Sequence, residues 1–354
     1  MNAVPSHFND THRTGRGRAF SMVELLVVIA IIAVLAGILL VALKGVRERA
    51  LATQTRATMQ EFSKACDSFQ IEHGRYPGII PEGILAENPE ISGTENALLH
   101  MMGGYRVLSP FDAPGGAADT EYVNYGTCGN NIRCIEFGDT GWELKVDVNR
   151  IGEGPEINGT PYSPYFTPKG DELAIVNGQV LPGGGPIIEP LHLLPDLVDA
   201  WGQPIIYVRR VRPVGPLVGD PPNDPPDALP PQFMIGPMRP YIDSDDLGEF
   251  GRNQVYNAIT NPGGSILGGP NIVDPSATFA QIIRHPSFGE SGDALNGTAR
   301  GAYVLISAGK DGIYFSGQDG PGTELNPVEN IVTGEFGNPQ VVEEYDDIRL
   351  FGGG

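Results

Sequence analysis

The pattern of apolar and polar positions changes character twice along this chain. From Leu25 to Leu43 no charged or strongly polar side chain occurs, a run of 19 residues. As a helix such a run reaches about 28 Å, close to the hydrocarbon thickness of a bilayer. From Lys44 to Glu72 the pattern turns mixed: there is no Pro, and Gly45 is the only Gly. Apolar residues at Val46, Ala50, Leu51, Ala57, Phe62, Ala65, Phe69 and Ile71 recur loosely at three and four residues. That is the signature of an amphipathic helix with one face on a core. Gly74 and Pro77 end it. The two patterns predict one helix from Phe20 to His73, about 80 Å long.

Beyond the helix the pattern is that of short strands. Trp142–Val148, Leu173–Val176 and Pro204–Val211 are strand candidates, the second followed by the turn pair Asn177-Gly178. Gly301–Ala308 follows near the end. Residues 78–200 otherwise read as irregular and insertion-like. Residues 212–240 are a Pro-rich extended loop, and 241–300 are Gly/Asn/Ser-rich and weakly patterned. The expected fold is α+β: a long N-terminal helix, transmembrane in its first half, packed on a small antiparallel head with long loop insertions. The segments are 1–19, a leader; 20–43, the membrane or assembly segment; 44–75, its amphipathic continuation; and 76–354, the head.

Composition sharpens this picture. The chain has 48 Gly and 32 Pro, which predicts many turns and little helix after the first. Residues 76–354 hold 14 basic and 37 acidic side chains. Such a head lacks the basic footprint that nucleic-acid binding needs. Arg13, Arg16 and Arg18 precede the span, so the N-terminus is expected to stay cytoplasmic and the acidic head to cross. No His-Glu-x-x-His, Gly-x-Ser-x-Gly or phosphate-loop pattern occurs, and nothing points to an enzyme. Cys128 and Cys134 lie six apart, and the sequence leaves open whether they pair. Cys66 reads as a packed thiol, and the cysteine spacing opposes a zinc site.

Glu24 is the anomaly, a carboxylate at the edge of an apolar span. It either snorkels to the interface or has a partner. A cut between Ala19 and Phe20 would create a partner, because the new α-ammonium lies four residues before Glu24. The block of basic leader, Phe20, Ser21-Met22-Val23, Glu24 and Leu25-Leu26-Val27 resembles the class III signal of type IV pilins and pseudopilins. Ala19 stands where that family usually has Gly. Gly74-Arg-Tyr-Pro77 resembles the helix exit of pseudopilins. Asp199-Ala-Trp201-Gly202-Gln-Pro204 resembles the entry to the first strand of the major pseudopilin of type II secretion, with Trp201 expected to plug the space between sheet and helix. Gly301–Gly312 and Glu344–Phe351 resemble its last two strands.

The resemblance implies cleavage before Phe20, N-methylation of Phe20 by a prepilin peptidase/methyltransferase, and assembly through Glu24 with identical and related pilin-like subunits. It further implies an inner-membrane assembly platform, secreted protein cargo and a periplasmic head. In that family, carboxylates of the last two segments hold calcium with backbone carbonyls. Carried over, these are Asp311, Asp346 and Asp347; read alone, the same residues are equally a turn and a solvated strand end. The function expected is a structural subunit of a type II secretion pseudopilus. The alternatives are a type IV pilus pilin and a membrane-tethered binding domain. Adhesive pilins usually carry a C-terminal disulfide loop, whereas the last cysteine here is Cys134.

Overall fold

A computed structural model describes residues 21–87, 91–111, 120–129, 131–175, 194–219, 229–234, 263–265, 267, 275–285, 297–316 and 345–353. The leader, Ala19, Phe20, the Asn177-Gly178 turn and most of the Pro-rich tract lie outside these. The chain divides into two compact units, at Arg49 and Ala50. Helix α1 runs without interruption from Met22 to His73 and contributes to both.

In the first unit the helix makes no core. Every described side chain from Ser21 to Leu39 is exposed within the chain. The most apolar 18-residue stretch of the helix, of mean hydropathy 3.4 and with nothing buried inside the chain, has the length and composition of a membrane span. Its apolar surface requires lipid or other protein around it.

The second unit starts at Ala50. Here α1 buries Thr55, Thr58, Met59, Phe62, Ala65, Cys66 and Phe69, one stripe at helical spacing. This corrects the expected face: Ala57 is exposed and Ile71 is 82% exposed. Two threonines take the inward positions because each has a bond waiting. The Thr55 hydroxyl accepts from the Ala200 N–H at 3.0 Å, and the Thr58 hydroxyl donates to Oε1 of Glu172 at 2.8 Å. A satisfied hydroxyl can be buried at little cost. Phe62 and Phe69, fully buried, contribute about 2–3 kcal/mol each.

The expected irregular stretch is in fact built. It holds helices α2 (Glu82–Glu87), α3 (Gly93–Met102) and α4 (Thr120–Asn124) and strands β1 (Tyr105–Leu108), β2 (Ile132–Glu136) and β3 (Glu143–Asp147). β3 sits between β1 and β2 in an antiparallel sheet. Ile135, Leu144 and Val146 pack with Ile80, Leu85 and Leu99 in a core of their own. Cys128 and Cys134 are joined by a disulfide, which closes the loop leading into β2, while Cys66 is a buried free thiol. Two small antiparallel pairs follow, β4 (Glu156–Ile157) with β5 (Thr160–Pro161) and β6 (Leu173–Ile175) with β7 (Pro195–Leu197).

The main sheet comprises β8 (Ile206–Arg209), β11 (Tyr303–Ser307) and β12 (Ile348–Gly352), all antiparallel, with β11 central. All five β11 side chains are buried. Tyr303 and Leu305 join the core of α1, whereas Val304 and Ile306 join a second core with Phe279 and Ile283. Covering both faces explains why this strand reads as continuous apolar sequence rather than as an alternation. The second core includes α5 (Pro275–Ile283), a helix within the stretch expected to be weakly patterned, and the parallel pair β9 (Val218–Gly219) and β10 (Phe233–Met234). The Tyr303 hydroxyl reaches across to α1, 2.7 Å from the Ser63 hydroxyl and 3.3 Å from Oδ1 of Asp67.

Trp201 is half-buried at the rim of the α1 core rather than filling it. What holds its turn is Asp199, whose Oδ1 accepts from the N–H groups of Trp201 and Gln203 at 2.9 Å each. Oδ2 accepts from the Ser307 hydroxyl at 2.7 Å. Gly202, at φ +86°, closes the turn by donating to the Asp199 carbonyl.

Candidate functional site

Two places carry the chemistry expected from the sequence. The first is the start of α1. Ser21 precedes the first helical residue, and its hydroxyl accepts from the Glu24 N–H at 3.2 Å. The Glu24 carboxylate reaches back, its Oε2 accepting from the Ser21 N–H at 2.8 Å. This reciprocal pair is a capping box, which satisfies two of the donors that a helix start leaves open. Among the described residues Oε1 of Glu24 has no partner. Ala19 and Phe20 lie outside the described residues.

The box is a role for Ser21 and Glu24 that the reading of the sequence missed. Its signal was present: Ser21-x-x-Glu24 directly before an apolar run. The same signal, Ser92-x-x-Glu95, stands at the start of α3 and forms a second capping box there.

The second place is the loop that follows β11, from Ala308 to Ser316, together with Asp346 and Asp347 ahead of β12. Gly309, at φ +68°, turns the chain, and its backbone lies against Asp346: a side chain there would meet the Asp346 carbonyl at 2.9 Å. Oδ1 of Asp311 accepts from the Ile313 N–H at 2.9 Å. Both oxygens of Asp347 accept from the Phe315 N–H at 3.0 Å. Lys310 Nζ lies 3.9 Å from Oδ2 of Asp346.

The fold therefore brings Asp311, Asp346 and Asp347 into one neighbourhood. Burial pushes the Asp347 carboxyl well above the usual range, and the charges of Asp346 and Asp311 push it the same way, against the bond from Phe315. The donors are all oxygens, the kind a hard cation takes. Among the described residues, however, no three acidic, His or Cys side chains converge as a ready metal cluster. Asp347 spends both oxygens clasping the loop, a structural use that the sequence does not display.

Comparison with known proteins bears on the first place. Residues 15–40 match the family model described as the prokaryotic N-terminal methylation motif. No curated protein and no solved structure matches. The match spans the end of the leader, Ala19, Phe20, the Ser21–Glu24 box and most of the apolar run. It supports a type IV pilin-like protein, and the long helix with small antiparallel sheets is consistent with a pilin-like fold. The motif marks a structural subunit of pilin type, typically non-enzymatic. It implies processing by a prepilin peptidase and assembly with other pilin subunits. The signal and the apolar first half of α1 together point to membrane anchoring.

Proposed function

We propose that the chain is a subunit of a type II secretion pseudopilus. It is cut between Ala19 and Phe20, methylated on the Phe20 amine and assembled through its N-terminal helix. The observation that carries this reading is the methylation-motif match with Glu24 at the fifth position after the cut. In the membrane the capping box holds the Glu24 carboxylate through Oε2. On assembly the apolar helix leaves lipid for a bundle of like helices, and the Phe20 ammonium of a neighbour meets the carboxylate in a medium of low dielectric, where a charge pair is strong. The leader stays cytoplasmic, the head stands in the periplasm, and an inner-membrane platform drives the movement. The acidic head faces outward toward secreted cargo. The secretion branch is favoured over the pilus branch by the resemblance of Asp199–Pro204 to the strand entry of the major pseudopilin.

The test is the mature N-terminus in the cell envelope, read by mass spectrometry. The expected result is a chain beginning at N-methylated Phe20. A full-length chain still carrying Met1 overturns the reading and leaves a tethered domain in its place.

Calcium belongs to the same proposal. Asp311 and Asp346 would supply carboxylate oxygens, and Asp347 would supply charge while fastening the loop at Phe315. The ion would offset the mutual repulsion of the three acids. Added calcium at a hundredfold excess over its Kd is expected to stabilise the head by about 2.7 kcal/mol, a rise of several degrees in Tm. Asp346→Asn should lose most of that rise. An identical melting curve with chelator and with calcium excludes the site.

A further inference from the structure

A second acidic pair lies in the interior, away from both places described above. Glu95 is in the first turn of α3, and Asp196 is in the middle of β7. They are 8% and 7% exposed. Ser92 joins them. Its N–H donates to Oε2 of Glu95 at 2.7 Å, and its hydroxyl accepts from the Glu95 N–H at 3.0 Å. The same hydroxyl donates its one proton to Oδ1 of Asp196 at 3.2 Å. The backbone of both acids is fastened. Asp196 is paired with Ala174 across the β6–β7 ladder. Beside Glu95, the Thr94 hydroxyl fastens α3 to the Ile205 carbonyl at 2.5 Å.

The titratable groups on the elements packed here have other commitments. Arg209 on β8 is bound to Glu82 and to the Tyr76 carbonyl, and Tyr207 donates to the Pro77 carbonyl. His100 on α3 accepts from the Gly78 N–H. Glu172, ahead of β6, holds Thr58 and Lys169. Asp199, after β7, holds Ser307 and its own turn, and Tyr314, after β11, donates to the Pro204 carbonyl. Among the described residues no cation pairs with Glu95 or Asp196. Two buried carboxylates joined by one serine, with no counter-charge, are not both ionised at neutral pH.

We infer that Glu95 and Asp196 retain a shared proton at neutral pH, and that its loss loosens the joint between α3 and β7: the head is latched by acid and released by base. The joint matters because β7 leads into the seat of α1. Val198 donates to the Glu172 carbonyl, and Ala200 donates to Thr55 on α1.

The direction of the effect follows from the titration. Burial raises both acids, reinforced at Glu95 by the charge on Asp196, and the bonds from Ser92 do not cancel it. Asp196 is pushed up to about 7. Groups raised on folding bind protons more tightly in the folded chain than in the unfolded one. Their contribution is whole below the ordinary carboxylate range near 4 and is lost as the pH rises through the folded values. For Asp196 alone, a rise from 3.8 to about 7 corresponds to about a thousandfold in the folding equilibrium.

The test is the melting temperature of the full chain between pH 5 and pH 8.5, for the wild type, Asp196→Asn and Glu95→Gln. The wild type is expected to lose several degrees more than Asp196→Asn over that range, with the variant equal or superior above pH 7. Parallel curves overturn the latch. Because a variant that fails to fold gives no curve, infrared spectra of the wild type labelled on glutamate side chains provide a second reading. A protonated glutamate carboxyl present at pH 6 and lost toward pH 8.5 supports the shared proton; its absence at pH 6 overturns it.

Discussion

Replacing Glu24 by alanine is expected to leave the chain inserted in the membrane and to stop it assembling. Insertion depends on the apolar run from Leu25 to Leu43, which the substitution does not touch, and removing a carboxylate from the edge of a span only favours lipid. In the proposed mechanism, assembly depends on the charge. Glu24 has two roles that the variants can separate. As the third residue of the helix it closes the capping box with Ser21, a contribution of about 1 kcal/mol. As a carboxylate it is the proposed partner of a neighbour's Phe20 ammonium. Glu24→Gln keeps an acceptor for the Ser21 N–H and loses the charge. If the charge drives assembly, Glu24→Gln fails as completely as Glu24→Ala, while Ser21→Ala, which weakens only the cap, assembles with a modest loss. Crosslinking of intact cells checks all three. Normal oligomers of Glu24→Gln would assign the residue to capping alone and remove the proposed mechanism.

The largest loss of stability in the head is expected at Glu82. Its carboxylate grips Arg209 through Nε and Nη2, the latter at 3.0 Å, and Arg209 Nη1 donates to the Tyr76 carbonyl at 2.5 Å. The two side chains are only 13% and 12% exposed. The pair joins α2 to the main sheet just past the turn at Pro77, so it holds the helix exit against β8. Removing one member strands a buried guanidinium, which costs about 3–5 kcal/mol. In a head of this size Glu82→Ala should therefore lower the melting temperature by about ten degrees. Replacing both members by apolar residues, Glu82→Leu with Arg209→Met, should cost far less, because the penalty lies in the stranded charge rather than in a missing attraction. Equal losses in the single and double variants would show that the pair's own attraction matters more than burial.

The parts that could be read from the residues are those whose determinants are local. The apolar run of α1 and its stop at Gly74 depend on one segment's composition, and a run without a polar residue has a single answer near a bilayer. β11 could be read because covering both faces leaves an unbroken apolar stretch. The methylation-motif stretch could be read because its parts lie within a few residues of one another. The helix α3 was also legible and was overlooked: Ser92-x-x-Glu95 starts it, as Ser21-x-x-Glu24 starts α1.

Other features depend on partners distant in the chain. Thr55 and Thr58 face inward only because Ala200 and Glu172 arrive to meet them, whereas periodicity favoured Ala57 and Ile71. Asp347 reads as a solvated strand end until the β11 loop folds over it and Phe315 donates to both its oxygens. Glu95 and Asp196 are ordinary acids, a hundred or so residues apart in the chain, until α3 packs on β7 and Ser92 ties them. Sequence by itself determined which stretch has the length and composition of a membrane span and how that helix begins and ends, because hydrophobicity and capping act over a few residues. Tertiary structure alone decided which polar groups became interior, because burying a charge or a hydroxyl is tolerable only where a partner from elsewhere in the chain is already in place.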